Sequence, residues 1–340
     1  MSTGAEIDGV LVQWGDRLFY LGNRIVRPAS TPRLSGSVGQ RAAAIRKRIR
    51  ATVVRRAPQV MVKVTGGGRG MAAIVAHLRY ITKSGRLSFE DDRGVTREGR
   101  EALHALAEQW RCGGSFIGDT SHRREAFNIM LSMPSGTDPL IVERAAREFA
   151  QAELSDHRYV MVLHDHQANP HVHLSVRAES RHGKRLNPRK ADLHRWRETF
   201  AEKLRGWGID AEATRQRARG KVHNYEPIWR IKAAAEGRLR IPGRPTKSGT
   251  GIEWDQAIAA EAWSRIAEGL SHSDNLEDRT LAAHVERFLL NTPLAIPLNT
   301  PLAIPRTRIP EPRGRQEHNQ DAIRPAPAVI KGREGPEVQR

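Results

Sequence analysis

Three histidines sit at offsets of zero, seven and nine residues in His164-Asp-His-Gln-Ala-Asn-Pro-His171-Val-His173. A His-x-His pair on a strand puts both imidazoles on one face, because strand side chains alternate with period two. The stretch Arg158-Tyr-Val-Met-Val-Leu-His164 leading into it also reads as a strand, and residues 165–170, broken by Asn169-Pro170, read as a hairpin loop. His164 then closes the mouth of the hairpin beside His171 and His173. Three neutral imidazoles with an open coordination position suit a catalytic metal site better than a closed structural one. His166, in the loop, is either an alternative third ligand or a solvent-exposed side chain. Asp165 is either a residue that orients a ligand imidazole or an ordinary turn aspartate.

The 340 residues carry 56 Lys and Arg against 38 Asp and Glu, a net charge of +18. That excess calls for a polyanionic partner and salt-sensitive binding. Nucleic acid fits better than an anionic membrane, because the basic residues are spread along the chain rather than gathered beside one apolar helix. Cys112 is the single cysteine, which excludes an intrachain disulfide and a Cys-based zinc module. No stretch approaches the ~18–20 apolar residues of a bilayer span. The start Met-Ser-Thr-Gly-Ala-Glu-Ile-Asp lacks the basic-then-apolar order of a secretory signal. No membrane insertion and a cytoplasmic location are expected.

A three-His metal in a basic chain suggests phosphodiester chemistry: the metal polarises a phosphate oxygen and the protein supplies a nucleophile. The tyrosines are Tyr20, Tyr80, Tyr159 and Tyr225. Tyr159 belongs to a core strand. Tyr80 ends a helix with Met71, Ile74, Val75 and Leu78 on its apolar stripe, and it lies roughly 180° from that stripe. Flanked by Arg79 and Lys83, it is either a half-buried surface tyrosine or, as the histidines favour, a phenol kept near bound phosphate and able to form a phosphotyrosine.

The other elements follow from periodicity. Residues 59–65 read as a strand, and Gly66-Gly-Gly-Arg-Gly70 turns the chain into the Tyr80 helix, which Lys83-Ser-Gly85 stops. A polar, charged segment leads to a strand over 125–133. Pro134-Ser-Gly-Thr-Asp138 then starts a helix capped by Asp138, with Val142, Ala145, Ala146 and Phe149 inward. A long helix over about 191–206 points Leu193, Trp196, Phe200 and Leu204 inward. Trp196 and Trp207 read as core residues.

Gly66-Gly-Gly-Arg-Gly-Met71 with His77-Leu-Arg-Tyr80, then Ser132-Met-Pro-Ser-Gly-Thr-Asp-Pro139, then His164…His171-Val-His173, resemble in that order the relaxase (mobilisation nuclease) family of the HUH endonuclease superfamily. The likeness covers about residues 59–225. It implies an α+β fold with a central antiparallel sheet, flanked by helices, that holds the metal ligands. It implies nicking of one DNA strand at a transfer origin and rejoining of it, for conjugative mobilisation of a plasmid or integrative element. Tyr80 is then the nucleophile that forms a covalent 5′-phosphotyrosine, and His164, His171 and His173 hold Mg²⁺ or Mn²⁺. Many relatives have an acidic residue two places after the first histidine. Here His166 holds that place and Asp165 precedes it, leaving both as alternatives for the supporting role. Accessory relaxosome proteins and a type IV secretion coupling protein are the further partners implied.

Residues 1–57 read as a basic N-terminal extension, either an arm or a solvated helix face. Residues 58–231 read as the nuclease domain and 232–289 as a partly helical region with a helix near 254–270. Residues 290–340 read as a Pro-rich disordered tail containing the duplicated Leu-Asn-Thr-Pro-Leu-Ala-Ile-Pro. Gly66 to Gly70 lacks the Gly-Lys-Ser/Thr of a P-loop, so it is a tight turn or a backbone contact to DNA phosphate. Candidate DNA contacts are Arg79, Lys83, Ser132, Ser135, Arg185, Arg189 and Lys190, with Arg181 and Lys184 in the same basic loop; helix start alone also explains Ser135, and a solvated loop also explains the basic group. Two other readings are a rolling-circle replication initiator or single-strand transposase of the same superfamily, and a non-catalytic basic DNA-binding accessory protein. Tyr80 precedes the histidines, which favours the relaxase over the first.

Overall fold

Alternation of apolar and polar residues builds the central sheet. In the computed structural model, which describes residues 4–20, 36–220, 233, 236–238 and 250–294, six strands pair antiparallel in the order β1-β4-β6-β5-β2-β3. They are β1 (Met61–Gly66), β2 (Phe89–Asp91), β3 (Thr96–Arg97), β4 (Ala126–Ser132), β5 (His157–His164) and β6 (His171–Ser180). The protein is α+β, with the long β5–β6 hairpin near the middle of the sheet.

Each face of the sheet has its own core. Helices α5 (Pro139–Leu154) and α6 (Lys190–Gly206) cover one face, where Phe149, Trp196 and Phe200 pack with Val172, Leu174 and Val176 of β6. The Asp138 carboxylate caps α5 by accepting from the Leu140 N–H at 2.9 Å, as the sequence predicts. Helices α3 (Met71–Ile81) and α4 (Arg100–Cys112) cover the other face, where Ile74, Leu78, Leu106 and Trp110 meet Val160 and Val162 of β5. Gly70 opens α3 at φ 97°, and a Cβ there would lie 2.3 Å from the Asp119 carbonyl oxygen, so the position requires glycine. Lys83, Ser84 and Gly85 have φ of 49°, 62° and 86°, a left-handed run that turns the chain sharply just after Tyr80.

The polar segment after α3 holds more structure than its composition suggests. It folds into β2, β3 and α4. Glu90 and Asp91 of β2 are buried because arginines meet them: Arg147 reaches Glu90 at 2.6 Å and Arg93 reaches Asp91 at 2.9 Å. Trp207 departs from the core role expected of it. It is 40 % exposed at the end of α6, its indole donating to Glu148 at 2.9 Å with the Arg144 guanidinium over the ring.

The N-terminal extension supplies α1 (Gly4–Phe19) and α2 (Val38–Ile49), the latter continued by a π-helical turn, Arg50–Val54. They share a further core with α7 (Thr250–Ser271) and α8 (Leu276–Leu290), built on Leu11, Leu18, Ile45, Trp263, Ile266 and Val285. The basic cluster of α2 is engaged in ion pairs. Arg46 bridges Asp8 and Asp278 at 2.7 and 2.8 Å, and Arg48 meets Glu198 of α6 at 2.6 Å. The helix expected near 254–270 is α7, and α8 is an addition. Tyr225 and residues 295–340, with most of the duplicated octapeptide, lie outside the described residues. No helix among the described residues is long and apolar enough to cross a membrane.

Phe149 sits edge-to-face against both Trp196 and Phe200, at centroid distances of 6.2 and 6.3 Å. Phe149→Ala is expected to cost about 3–5 kcal/mol of unfolding free energy in a urea titration. A loss under about 1 kcal/mol would contradict this packing.

Candidate metal centre and active site

The register of β5 on β6 builds the centre. His164 is the last residue of β5 and pairs with His171, the first of β6, while His173 pairs with Val162. Period-two alternation then turns all three imidazoles to the face that α3 and α4 cover. One ring nitrogen from each lies within 4.8 Å of the others, and ring centroids are 4.6–5.1 Å apart. All three are buried, at 5, 6 and 9 % exposure.

Backbone carbonyls set the tautomers. His164 donates its Nε2–H to the Ile81 carbonyl at 2.7 Å, leaving Nδ1 for the shared space. His171 donates its Nδ1–H to the Asn169 carbonyl at 2.9 Å, leaving Nε2. Such bonds fix ring orientation and raise the basicity of the free nitrogen. Burial disfavours the imidazolium form. It pushes the His164 pKa below its ordinary value, with the neighbouring histidines adding to the effect. It pushes His173 down to about 3, helped by His164, His171 and His77. These two rings are therefore neutral, the form that binds a cation.

The Ile81 carbonyl also joins the triad to Tyr80, because it belongs to the next residue of α3. Tyr80 is 71 % exposed, off the apolar stripe as its position on the helical wheel requires. Its ring centroid lies 6.5 Å from that of His173. Sequence reasoning overlooked His77. One turn before Tyr80, it lies 6.4 Å from the tyrosine ring and 6.4 Å from His173. Its Nε2 is buried with no hydrogen-bond partner, and burial pushes its pKa down to about 4. The signal was present in His77-Leu-Arg-Tyr80, since residues three apart share a helix face.

The remaining predicted residues divide by position. Arg79 and Lys83 are exposed on either side of Tyr80. Ser132, buried and paired with His171, donates its hydroxyl to the Pro170 carbonyl at 3.3 Å. The Ser135 N–H donates to the Asn169 side chain at 2.9 Å, bracing the hairpin loop. Asp165 is exposed, and no hydrogen bond joins it to a ligand histidine among the described residues. His166 is also exposed, its ring 5.1 Å from that of His164. Arg185, Arg189 and Lys190 lie beyond the far end of β6, away from the triad. There Arg185 meets Glu125 at 3.3 Å, and the Arg189 N–H donates to Asp192 at 2.8 Å.

Residues 81–209 match the family model for Relaxase: MobA/VirD2-like, nuclease domain. Over that segment the chain resembles a relaxase. The matched segment holds the β5–β6 hairpin with its histidines, α5 and α6, and it begins one residue after Tyr80. No curated protein matches the chain. A relaxase nuclease domain is a metal-dependent DNA-nicking endonuclease, and DNA is the partner that the +18 charge fits.

The donor set of His164, His171 and His173 suits a divalent cation: three dry, mostly pre-oriented imidazoles with no carboxylate among them. That set favours a transition metal over Mg²⁺. Isothermal titration is expected to show Mn²⁺ binding more tightly than Mg²⁺. His173→Ala should lose more than the ~10–100-fold that a supporting residue costs, and Asp165→Asn should stay near wild type. Equal binding by His173→Ala and wild type would contradict the site.

Proposed function

We propose that the protein nicks one strand of DNA at a transfer origin and rejoins it, with Tyr80 as nucleophile, in the conjugative mobilisation of a plasmid or integrative element. The observation that supports this reading is an exposed phenol 6.5 Å, ring to ring, from a buried cluster of three imidazoles.

His164, His171 and His173 would hold the cation, which when bound polarises the scissile phosphate and offsets its developing charge. The Tyr80 oxygen attacks phosphorus, and the bond from phosphorus to the 3′ oxygen breaks. The phenolic proton is lost and the departing oxygen gains one, leaving a 5′-phosphotyrosine and a free 3′-hydroxyl. Attack by a 3′-hydroxyl on the same phosphotyrosine reverses the step, so rejoining needs no external energy source. Arg79 and Lys83, exposed beside Tyr80, contribute positive charge for the DNA backbone. His77 packs beside both Tyr80 and His173, its ring 6.4 Å from each, and helps to orient the phenol.

Supercoiled DNA carrying the origin is the substrate for the test. Tyr80→Phe should form no covalent protein–DNA adduct in a denaturing gel, although the fold is unchanged. A double His171→Ala, His173→Ala variant should lose nicking while retaining salt-dependent DNA binding. An adduct at wild-type level from Tyr80→Phe would overturn the assignment, and a protein that shifts the DNA but never nicks it would favour an accessory role.

A further inference from the structure

The strands that carry the histidines also carry an arginine pair at their other end. Arg158 lies six residues before His164 on β5, and Arg177 six residues after His171 on β6. At ~3.3 Å per residue that is about 20 Å from the triad. Alternation turns both guanidinium groups to the same face as the imidazoles, below the C-terminal end of α4. Two adjoining cavities of about 230 and 300 Å³ open there, and both are lined by Arg158 and Arg181.

The charges in these cavities do not cancel. Arg181 is paired with Asp92 at 2.6 Å, Arg93 with Asp91 at 2.9 Å, and Glu179 is met by Ser115 and Arg185. Arg177 is buried and donates only to the uncharged carbonyls of Trp110, Gly113 and Ser115. Arg158 is half-buried, makes one long bond to the Gln109 carbonyl at 3.4 Å, and has no carboxylate partner among the described residues. The two guanidinium groups thus face one space; burial disfavours the charge of Arg177, with Glu179 opposing that effect and Arg158 adding to it.

The backbone above them is shaped around these groups. A Cβ on Gly113 would lie 2.1 Å from an Arg158 nitrogen, and one on Gly114 would lie 3.0 Å from an Arg177 nitrogen. Two consecutive glycines therefore lie directly against the pair. The basic loop after β6, with Arg181, Lys184 and Arg185, borders the same end of the sheet. An anion seated between the guanidinium groups relieves their repulsion, and planar guanidinium groups match phosphate geometry.

We infer that the cleft of Arg158, Arg177 and Arg181 binds a backbone phosphate of the DNA, about 20 Å from the nicking centre, and so fixes the register of the bound nucleic acid. In duplex geometry that distance is about six base pairs at 3.4 Å each. The inference deepens the relaxase reading, and its test measures binding rather than nicking, so the two fail separately.

The test uses the full chain without divalent metal, a fluorescent 30-nucleotide single strand and a 30-base-pair duplex, with anisotropy followed against salt. Arg158→Gln keeps a donor for the Gln109 carbonyl but removes the charge. It is expected to flatten the slope of log affinity against log salt by about one on at least one probe. Arg158→Lys should restore most of that slope, and thermal unfolding should leave both variants at the wild-type midpoint. An Arg158→Gln slope equal to wild type on both probes would overturn the inference. So would an unchanged slope together with wild-type-only stabilisation by millimolar inorganic phosphate, which assigns the cleft to a free anion.

Discussion

The antiparallel register of β5 on β6 is the constraint on which the rest depends. It sets His164 opposite His171, and alternation adds His173 on the same face. A slip of one residue would send the imidazoles into the core of Phe149, Trp196 and Phe200 and turn Val172 and Leu174 toward the reacting face. The register is strongly specified because one face is wholly apolar. The same packing that stabilises the sheet therefore positions the three imidazoles, and the bond from His164 to the Ile81 carbonyl carries that positioning to the helix bearing Tyr80.

Water exclusion and charge allocation divide the work of the surface. The histidines sit dry at one end of the hairpin, and burial disfavours the charged form of His164 and His173. Many arginines elsewhere are committed to carboxylates: Arg46 to Asp8 and Asp278, Arg48 to Glu198, Arg147 to Glu90. Those pairs join elements distant in sequence. Among the described residues, Arg79 and Lys83 beside Tyr80 and Arg158 in its cleft have no such partner and stay open to a polyanion, so net charge alone overstates the basic surface that is free.

The hairpin, the capped α5 and the apolar stripe of α6 were legible because each is a local pattern: alternation, Asp138 before Pro139, and residues spaced by three or four. The helix α4 was overlooked, although Leu103, Leu106 and Trp110 have that spacing, because charged residues surround them. Strands of two and three residues such as β3 and β2 are too short to show a period. The core shared by α1, α2, α7 and α8 joins residues more than 200 apart, which no local pattern reveals. Within the site, side-chain chemistry pointed to the triad and to Tyr80. The groups that orient His164 and His171 are backbone carbonyls, which every residue has, so reading side chains alone turned attention to Asp165 and His166 instead.

The central claim is that Tyr80 takes the DNA strand. Mass spectrometry of the DNA-linked peptide after trypsin digestion of the covalent complex tests it most directly. The account predicts the peptide Tyr80 to Lys83 carrying a nucleotide through its 5′-phosphate on the tyrosine oxygen. A nucleotide on any other residue, or attachment through a 3′-phosphate, would contradict it.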